Sequence, residues 1–254
     1  MLLRELDVEK HLEDVTVKQR YVNKVFETVA ASYDRFTRWG SWGMDARWKR
    51  ALLRMVEPAL PKDGKALDLA CGTGDLAFAL ASRMPQGSVR GLDICPSMID
   101  LANRNCPPEL APRIGFEVGD MMALKMADAT FDLVSCGYGL RNVPDFRAAL
   151  REIHRVLKPG GHFACLDMYR PANRVWRFLF LRVLLRSCQL YGWIYHREPA
   201  SYAYLARSVG HFVTQKEMLA AFRETGFEVV QERRWLLGAA GVHLVRKPAP
   251  PRTC

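Results

Sequence analysis

The chain has 254 residues, with 37 Lys and Arg against 27 Asp and Glu, for a formal net charge of +10. Hydrophobic residues make up 49% and charged residues 25%, which excludes a disordered or fibrous chain and suits one α/β domain with an appended subdomain. The basic excess favours an anionic partner, whether nucleic acid, an anionic membrane surface or an acidic substrate.

The N-terminus, MLLRELDVEKHLEDV, carries acids and lacks the apolar run of a signal peptide. Residues 1–60 read as a helical cap, with VTVKQRYVNKVFETVAASYDRF and ARWKRALLRMVEPAL separated by Gly, Ser and Trp at 39–43. From Lys65 short apolar runs alternate with helices. ALDLA, SVRGLDI, GFEVGD, FDLVSC and GHFACLDM read as strands, and GDLAFALASRM, PSMIDLANRN and FRAALREIHRVL as helices. That alternation implies a parallel sheet with helices on both faces.

Between Pro171 and Pro199 lies an insertion, ANRVWRFLFLRVLLRSCQLYGWIYHRE, apolar and basic together. After the helix TQKEMLAAFRETG, the runs FEVVQERRWLL and GVHLVRK flank a GAAG that suits a hairpin. An antiparallel last strand on a parallel sheet is expected of the class I S-adenosylmethionine (SAM) methyltransferase fold. The expected architecture is therefore α/β and Rossmann-like. It has seven mostly parallel strands, a helical N-terminal extension and a helical insertion before the last helix. Residues 61–247 form the main domain, with a helical lid at 172–210 and a tail at 248–254.

The seven cysteines (71, 95, 106, 136, 165, 188, 254) form no Cys-x-x-Cys pair, so reduced thiols are expected, with neither disulfides nor a structural zinc site. No metal constellation is expected elsewhere, and no uncharged run reaches the roughly 18 residues of a spanning helix. A cytoplasmic protein with open scope for peripheral membrane contact follows.

LDLACGTGD joins the first strand to its helix. Its glycines allow a tight turn and close ligand approach. Gly72-Thr73-Gly74-Asp75-Leu76-Ala77 also matches a dinucleotide fingerprint, with Asp93 about 20 residues on. Two features favour SAM instead. Asp68 and Asp75 would repel a pyrophosphate but suit an ammonium and a sulfonium. Asp120 follows the third strand, where SAM enzymes hold the adenine end. Asp93 would take ribose hydroxyls in either case.

YD…SWGMDARWKR, LDLACGTGDLAF, LDICPSMI, TFDLVSCGYGLRNVPD, ALREIHRVLKPGG, SYAYLARSV and AAFRETGFEVV…GVHLVRK resemble, in order, the UbiE/MenG-type C-methyltransferases of ubiquinone and menaquinone biosynthesis. The resemblance runs from about residue 21 to 247, with GLRNV, RWKR and SYxYLxxS the most specific motifs. It implies SAM-dependent methylation of a ring carbon on a prenylated hydroquinone. The implied cofactor residues are Asp68, Ala70, Gly72, Thr73, Gly74, Asp93, Ile94, Met98, Asp120, Met121 and Gly137, the last often Ser in the family. Three segments depart from the family pattern: Phe36-Thr37-Arg38, Leu166-Asp167-Met168-Tyr169 and Leu236-Leu237-Gly238-Ala239. They keep open a diverged small-molecule C-, O- or N-methyltransferase acting on a phenolic or polyketide-like acceptor.

A phenol ring carbon is a poor nucleophile until its hydroxyl approaches a phenolate. Arg141 and Asn142, just past the fourth strand, lie where fork-shaped donors would stabilise that oxyanion. Arginine stays protonated and is not the base. Tyr33 is a third catalytic candidate, and Tyr138, Asp167, Tyr202 and His211 are acceptor-side candidates. His154 reads as a solvated helix residue. The insertion at 172–198 reads either as an interfacial helix or as a lid over the acceptor, which is a small aromatic with a lipid tail. A nucleic-acid methyltransferase would carry Asn/Asp-Pro-Pro-Tyr/Phe where this chain has CGYG, so no nucleic-acid partner is expected. A nicotinamide-dependent oxidoreductase and a non-catalytic SAM-binding protein complete the alternatives.

Overall fold

The computed structural model describes residues 22, 27, 33–196 and 199–250. The helix expected over 15–36 therefore lies mostly outside the described residues. Two helices, α1 (Tyr33–Gly40) and α2 (Asp45–Val56), precede β1 (Lys65–Leu69), α3 (Asp75–Ala81), β2 (Ser88–Asp93), α4 (Pro96–Asn105), β3 (Ile114–Val118) and β4 (Phe131–Gly137). Then come α5 (Phe146–Val156), β5 (Leu157–Met168), α6 (Arg174–His196), α7 (Pro199–His211), α8 (Gln215–Glu224), β6 (Glu228–Trp235) and β7 (Ala240–Arg246).

The seven strands form one sheet in the order β3-β2-β1-β4-β5-β7-β6. Strands β1 to β5 pair parallel, and β7 runs antiparallel between β5 and β6. Strand residues alternate between two cores. Ala66, Leu133, Ala164 and Leu166 face one side with Trp48, Leu52, Leu80 and Leu184. Leu67, Val134, Phe163 and Cys165 face the other with Leu150, Ile153 and Phe222. A parallel sheet buried on both faces explains why these strands read as continuous apolar runs.

The helices begin where the sequence chemistry favours it. Asp145 caps α5 by accepting from the N–H groups of Arg147 and Ala148 at 2.9 and 3.0 Å. Thr214 and Glu217 form a capping box on α8. The expected insertion is α6, which packs along α7. The β6–β7 hairpin turns through Leu236, Leu237 and Gly238, all with positive φ.

The order of strands reverses between β1 and β4. There Asp68 pairs in register with Ser135, and the loops after both strands open at one end of the sheet. That crevice is where open α/β sheets bind ligands.

Candidate functional site

The loop after β1 turns through residues of left-handed backbone at Ala70 (φ 51), Gly72 (φ 54) and Gly74 (φ 94). A Cβ at Gly74 would also meet the Phe78 ring at 2.6 Å, so glycine is required there twice over. Asp93, at the end of β2, ties the turn down. Its Oδ2 accepts from Gly72 N–H and its Oδ1 from Cys95 N–H, both at 2.9 Å. Burial pushes the Asp93 carboxyl above its usual range, against those hydrogen bonds.

Two cavities meet at this turn. The first is lined by Ala70, Gly72, Asp93, Ile94, Met98, Asp120, Met121 and Gly137, together with Tyr138 and Asn142. The second is lined by Asp68, Ala70, Gly72, Thr73, Gly137 and Tyr138, together with Lys49, Asp75 and Thr37. Ten of the eleven expected cofactor residues thus line one cavity or both; Gly74 lines neither.

Asp68 is 1% exposed. Its Oδ1 accepts from the Ser135 hydroxyl at 2.6 Å, while its Oδ2 is buried with no hydrogen-bond partner. Burial raises its pKa to about 7, against the Ser135 hydrogen bond and the nearby Lys49 charge. A buried carboxyl in a cavity wall suits a cationic ligand, whose charge would offset the cost of its burial.

The GYGLRN segment is organised around Tyr138, whose φ of 62 is left-handed. Such a non-glycine residue costs about 1–3 kcal/mol and must be held by its surroundings. Its N–H donates to Leu166 O at 2.7 Å, and its carbonyl accepts from Arg141 Nη1 at 2.8 Å and Asn142 Nδ2 at 2.9 Å. The Asn142 Oδ1 accepts from Tyr204 O–H on α7 at 3.0 Å. Gly139 lets this loop approach the first one, since a Cβ there would meet Ala70 Cβ at 2.6 Å.

Arg141 does not face either cavity. It is 7% exposed and forms an ion pair with the wholly buried Asp167 at 2.7 Å. Asp167 also accepts the Arg141 backbone N–H at 3.2 Å and the Met168 N–H at 2.8 Å. Arg141 and Asp167, both expected on the acceptor side, bind each other. Registry explains this, because Gly137 pairs with Leu166 and so brings Asp167 alongside the loop after β4.

His211 also falls outside the two cavities. It lies in a groove between α6 and α7, with its Nδ1 against Arg207 O at 2.9 Å. His154 is half-buried against Phe227 rather than solvated. The side chains of Tyr33 and Tyr202 lie outside the described residues.

The sequence reading gave no role to Lys49, Val22, Val143 or Tyr204. Lys49 Nζ donates to Asp75 at 3.1 Å and lines the second cavity; it stood within RWKR, a motif already singled out. Val143 closes the GLRNV motif and lines the first cavity. Tyr204 lies in SYxYLxxS. Val22, buried in the wall of the first cavity, carried no signal at all.

The sequence model of the ubiE/COQ5 methyltransferase family matches residues 14–247. A demethylmenaquinone methyltransferase of Lactiplantibacillus plantarum is 36% identical, covering 91% of this chain and 98% of its own length. One of Geobacillus kaustophilus is 34% identical, covering 89% and 97%. Among solved structures, a SAM-dependent methyltransferase of Methanosarcina mazei superposes with a TM-score of 0.57 at 23% identity, over 77% of this chain and 98% of its own.

Proposed function

Because the chain belongs to the ubiE/COQ5 methyltransferase family, we propose that it transfers a methyl group from SAM to a ring carbon of a prenylated hydroquinone of the demethylmenaquinol type. The observation that carries this reading is the buried Asp68 carboxyl in the wall of the second cavity. A dinucleotide would bring a pyrophosphate to that turn, beside Asp68 and Asp75, and meet repulsion. The ammonium and sulfonium of SAM meet attraction.

SAM supplies an electrophilic methyl group on a sulfonium. Asp68 and Thr73 hold its amino-acid end, and the turn at Gly72 and Gly74 gives it room. Asp93 accepts the ribose hydroxyls through the remaining lone pairs of a carboxylate already fixed by two backbone donors. Asp120 addresses the adenine amine, while Ile94, Met98 and Met121 supply apolar walls beside Gly137.

On the acceptor side, Asn142 takes the direct role. Its amide is oriented by Tyr138 O and the Tyr204 hydroxyl, and it keeps a second N–H for the acceptor's oxygen. Arg141 acts as a positioning residue, which with Asp167 holds the strained Tyr138 in place. Tyr33 remains a catalytic candidate and Tyr202 an acceptor-side group on sequence position alone.

Two of the three departures from the family pattern lie away from the cavities. Asp167, Met168 and Tyr169 are buried in the core, and Leu237 is exposed on the β6–β7 hairpin. Among the described residues, the Phe36-Thr37-Arg38 segment reaches a cavity wall through Thr37. The protein works in the cytoplasm, and its lipid-tailed acceptor gives reason for peripheral membrane contact through 172–198.

The test is labelled-methyl transfer from SAM to a panel of demethylated hydroquinones, simple phenols and polyketides. A ring-methylated quinol is the expected product. Turnover of a phenol on oxygen, with no hydroquinone methylated on carbon, refutes the reading.

A further inference from the structure

Most large apolar side chains exposed among the described residues sit on one helix. On α6, Val175, Leu179, Val183, Leu190, Trp193 and Ile194 are 49–70% exposed, and Phe178 is 59% exposed. Their spacing of three, four and seven places them along a single ridge. The opposite face, with Phe180, Leu184, Cys188 and Tyr191, is buried in the core.

Arginines flank the ridge. Arg174, Arg177, Arg182 and Arg186 join Arg207 of α7 around an open groove of about 1680 Å³, whose floor includes Leu181 and Leu185. Arg182 lies 5.5 Å from the centroid of the Phe178 ring. Neither α6 nor α7 contains an Asp or Glu. Among the described residues, none of these five arginines forms an ion pair.

No helix among the described residues is long and apolar enough to cross a membrane. A helix with an apolar ridge, interleaved arginines and an aromatic end is instead suited to lie in the interface plane. A second copy of the chain is a poor occupant. Twofold packing would set two acid-free arginine faces against each other.

We propose that α6 and α7 dock on an anionic bilayer, with the α6 ridge inserted among acyl chains and its arginines on lipid phosphates. The docked pair is also a wall of the site: α7 carries Arg207 in the groove and Tyr204 on Asn142. A lipid-tailed acceptor would then reach Asn142 without its tail leaving the bilayer. The surface extends the proposed function but does not rest on it.

The test is sedimentation of the full-length protein with vesicles of phosphatidylcholine, alone or with a third phosphatidylglycerol, without SAM or acceptor. Failure here would leave the methyl-transfer reading standing. Binding is expected only to the anionic vesicles. Arg177→Gln, Arg182→Gln and Arg186→Gln together should weaken it about a hundredfold, at about fivefold per arginine. Leu179→Ser with Trp193→Ser should weaken it at least ~10-fold through lost apolar burial.

A charge-matched control is available in the groove between α2 and β6. It is lined by Arg47, Arg50, Arg54, Arg233 and Arg234 with Ala51 and the half-buried Trp235. Arg47→Gln, Arg54→Gln and Arg233→Gln together should cost less than ~3-fold. Equal losses in the two triple variants would reduce the effect to net charge and overturn the proposal. Equal binding to neutral vesicles would overturn it too. So would failure to bind vesicles combined with a dimer, seen by ultracentrifugation, that the α6 variants dissociate. All substituted side chains but Arg177 are solvent-exposed, and unchanged thermal midpoints confirm that the variants fold.

Discussion

Replacing Arg141 by Met tests whether the arginine acts by holding Asp167 and Tyr138. The wild-type pair is 2.7 Å long, with the arginine 7% exposed and the aspartate fully buried. Met fills similar volume but leaves the carboxylate uncompensated, a loss of about 3–5 kcal/mol for a broken buried pair. The pH dependence identifies the cause. Burial already raises the Asp167 pKa, and the Arg141 charge is the largest influence holding it down. Without the arginine the folded-state pKa rises further, while the unfolded value stays near 4. Between the wild-type and variant values, the folded variant binds one proton more than the folded wild type. The stability deficit therefore grows with rising pH by about 1.4 kcal/mol per unit and shrinks as pH falls and the carboxyl is neutralised. Urea denaturation of both proteins from pH 5 to pH 8 measures this directly. Adding Asp167→Asn to the variant should flatten the difference. A deficit that is below about 1 kcal/mol, or that does not change with pH, would refute the buried-pair account.

Asp68→Asn should remove the pH dependence of SAM affinity. With an apo pKa of about 7, the wild-type carboxyl must lose its proton to meet a cation, so affinity rises up to ~10-fold per unit below neutrality and levels above it. Calorimetry across that range checks this, and an unchanged slope in the variant would exclude Asp68 from the site. Gly137→Ser should be tolerated within about 0.5 kcal/mol, because its Cβ would meet only Leu76 Cδ2 at 3.7 Å. Gly139→Ala should cost about 1–3 kcal/mol by overpacking against Ala70 and the Cys136 sulfur, which would lie 2.6 and 2.7 Å from the new Cβ. Thermal denaturation of the two variants side by side separates them, and equal stability would contradict the close approach of the two loops.

The parallel strands were legible because burial on both faces writes each as a short apolar run. Helix α4 was legible to the residue because Pro96 opens it and Pro107 follows its end. The start of β5 was not. FRAALREIHRVL reads as helix through Leu157 and GHFACLDM as strand from Gly161, yet the strand runs from Leu157, with Gly160 at φ 80 and its N–H donating to Lys247 O at 2.8 Å. Glycine there permits a kink within the pairing rather than an end to it. The β7 partner that makes this possible lies more than eighty residues away.

The same limit governed the site. Asp68, Asp93 and Asp120 could be placed at the crevice from the sequence because each lies near the end of a strand, where local chain geometry fixes its position. Arg141 and Asp167 were both picked out as candidates, but the sequence could not show that they are partners. Position in a loop after a strand says that a side chain is near the crevice; it does not say what already occupies its donors. That depends on the registry between β4 and β5, which sets Gly137 opposite Leu166. Asp167, near the end of β5, and Arg141, in the loop after β4, are each other's nearest neutraliser, and such a pair loses less on burial than either charge alone. The pair leaves Asn142 as the polar side chain of GLRNV that lines the first cavity. Its orientation in turn depends on Tyr204, from the helix whose other side lines the arginine groove, so the chemistry of the loop and the surface of the insertion share one structural element.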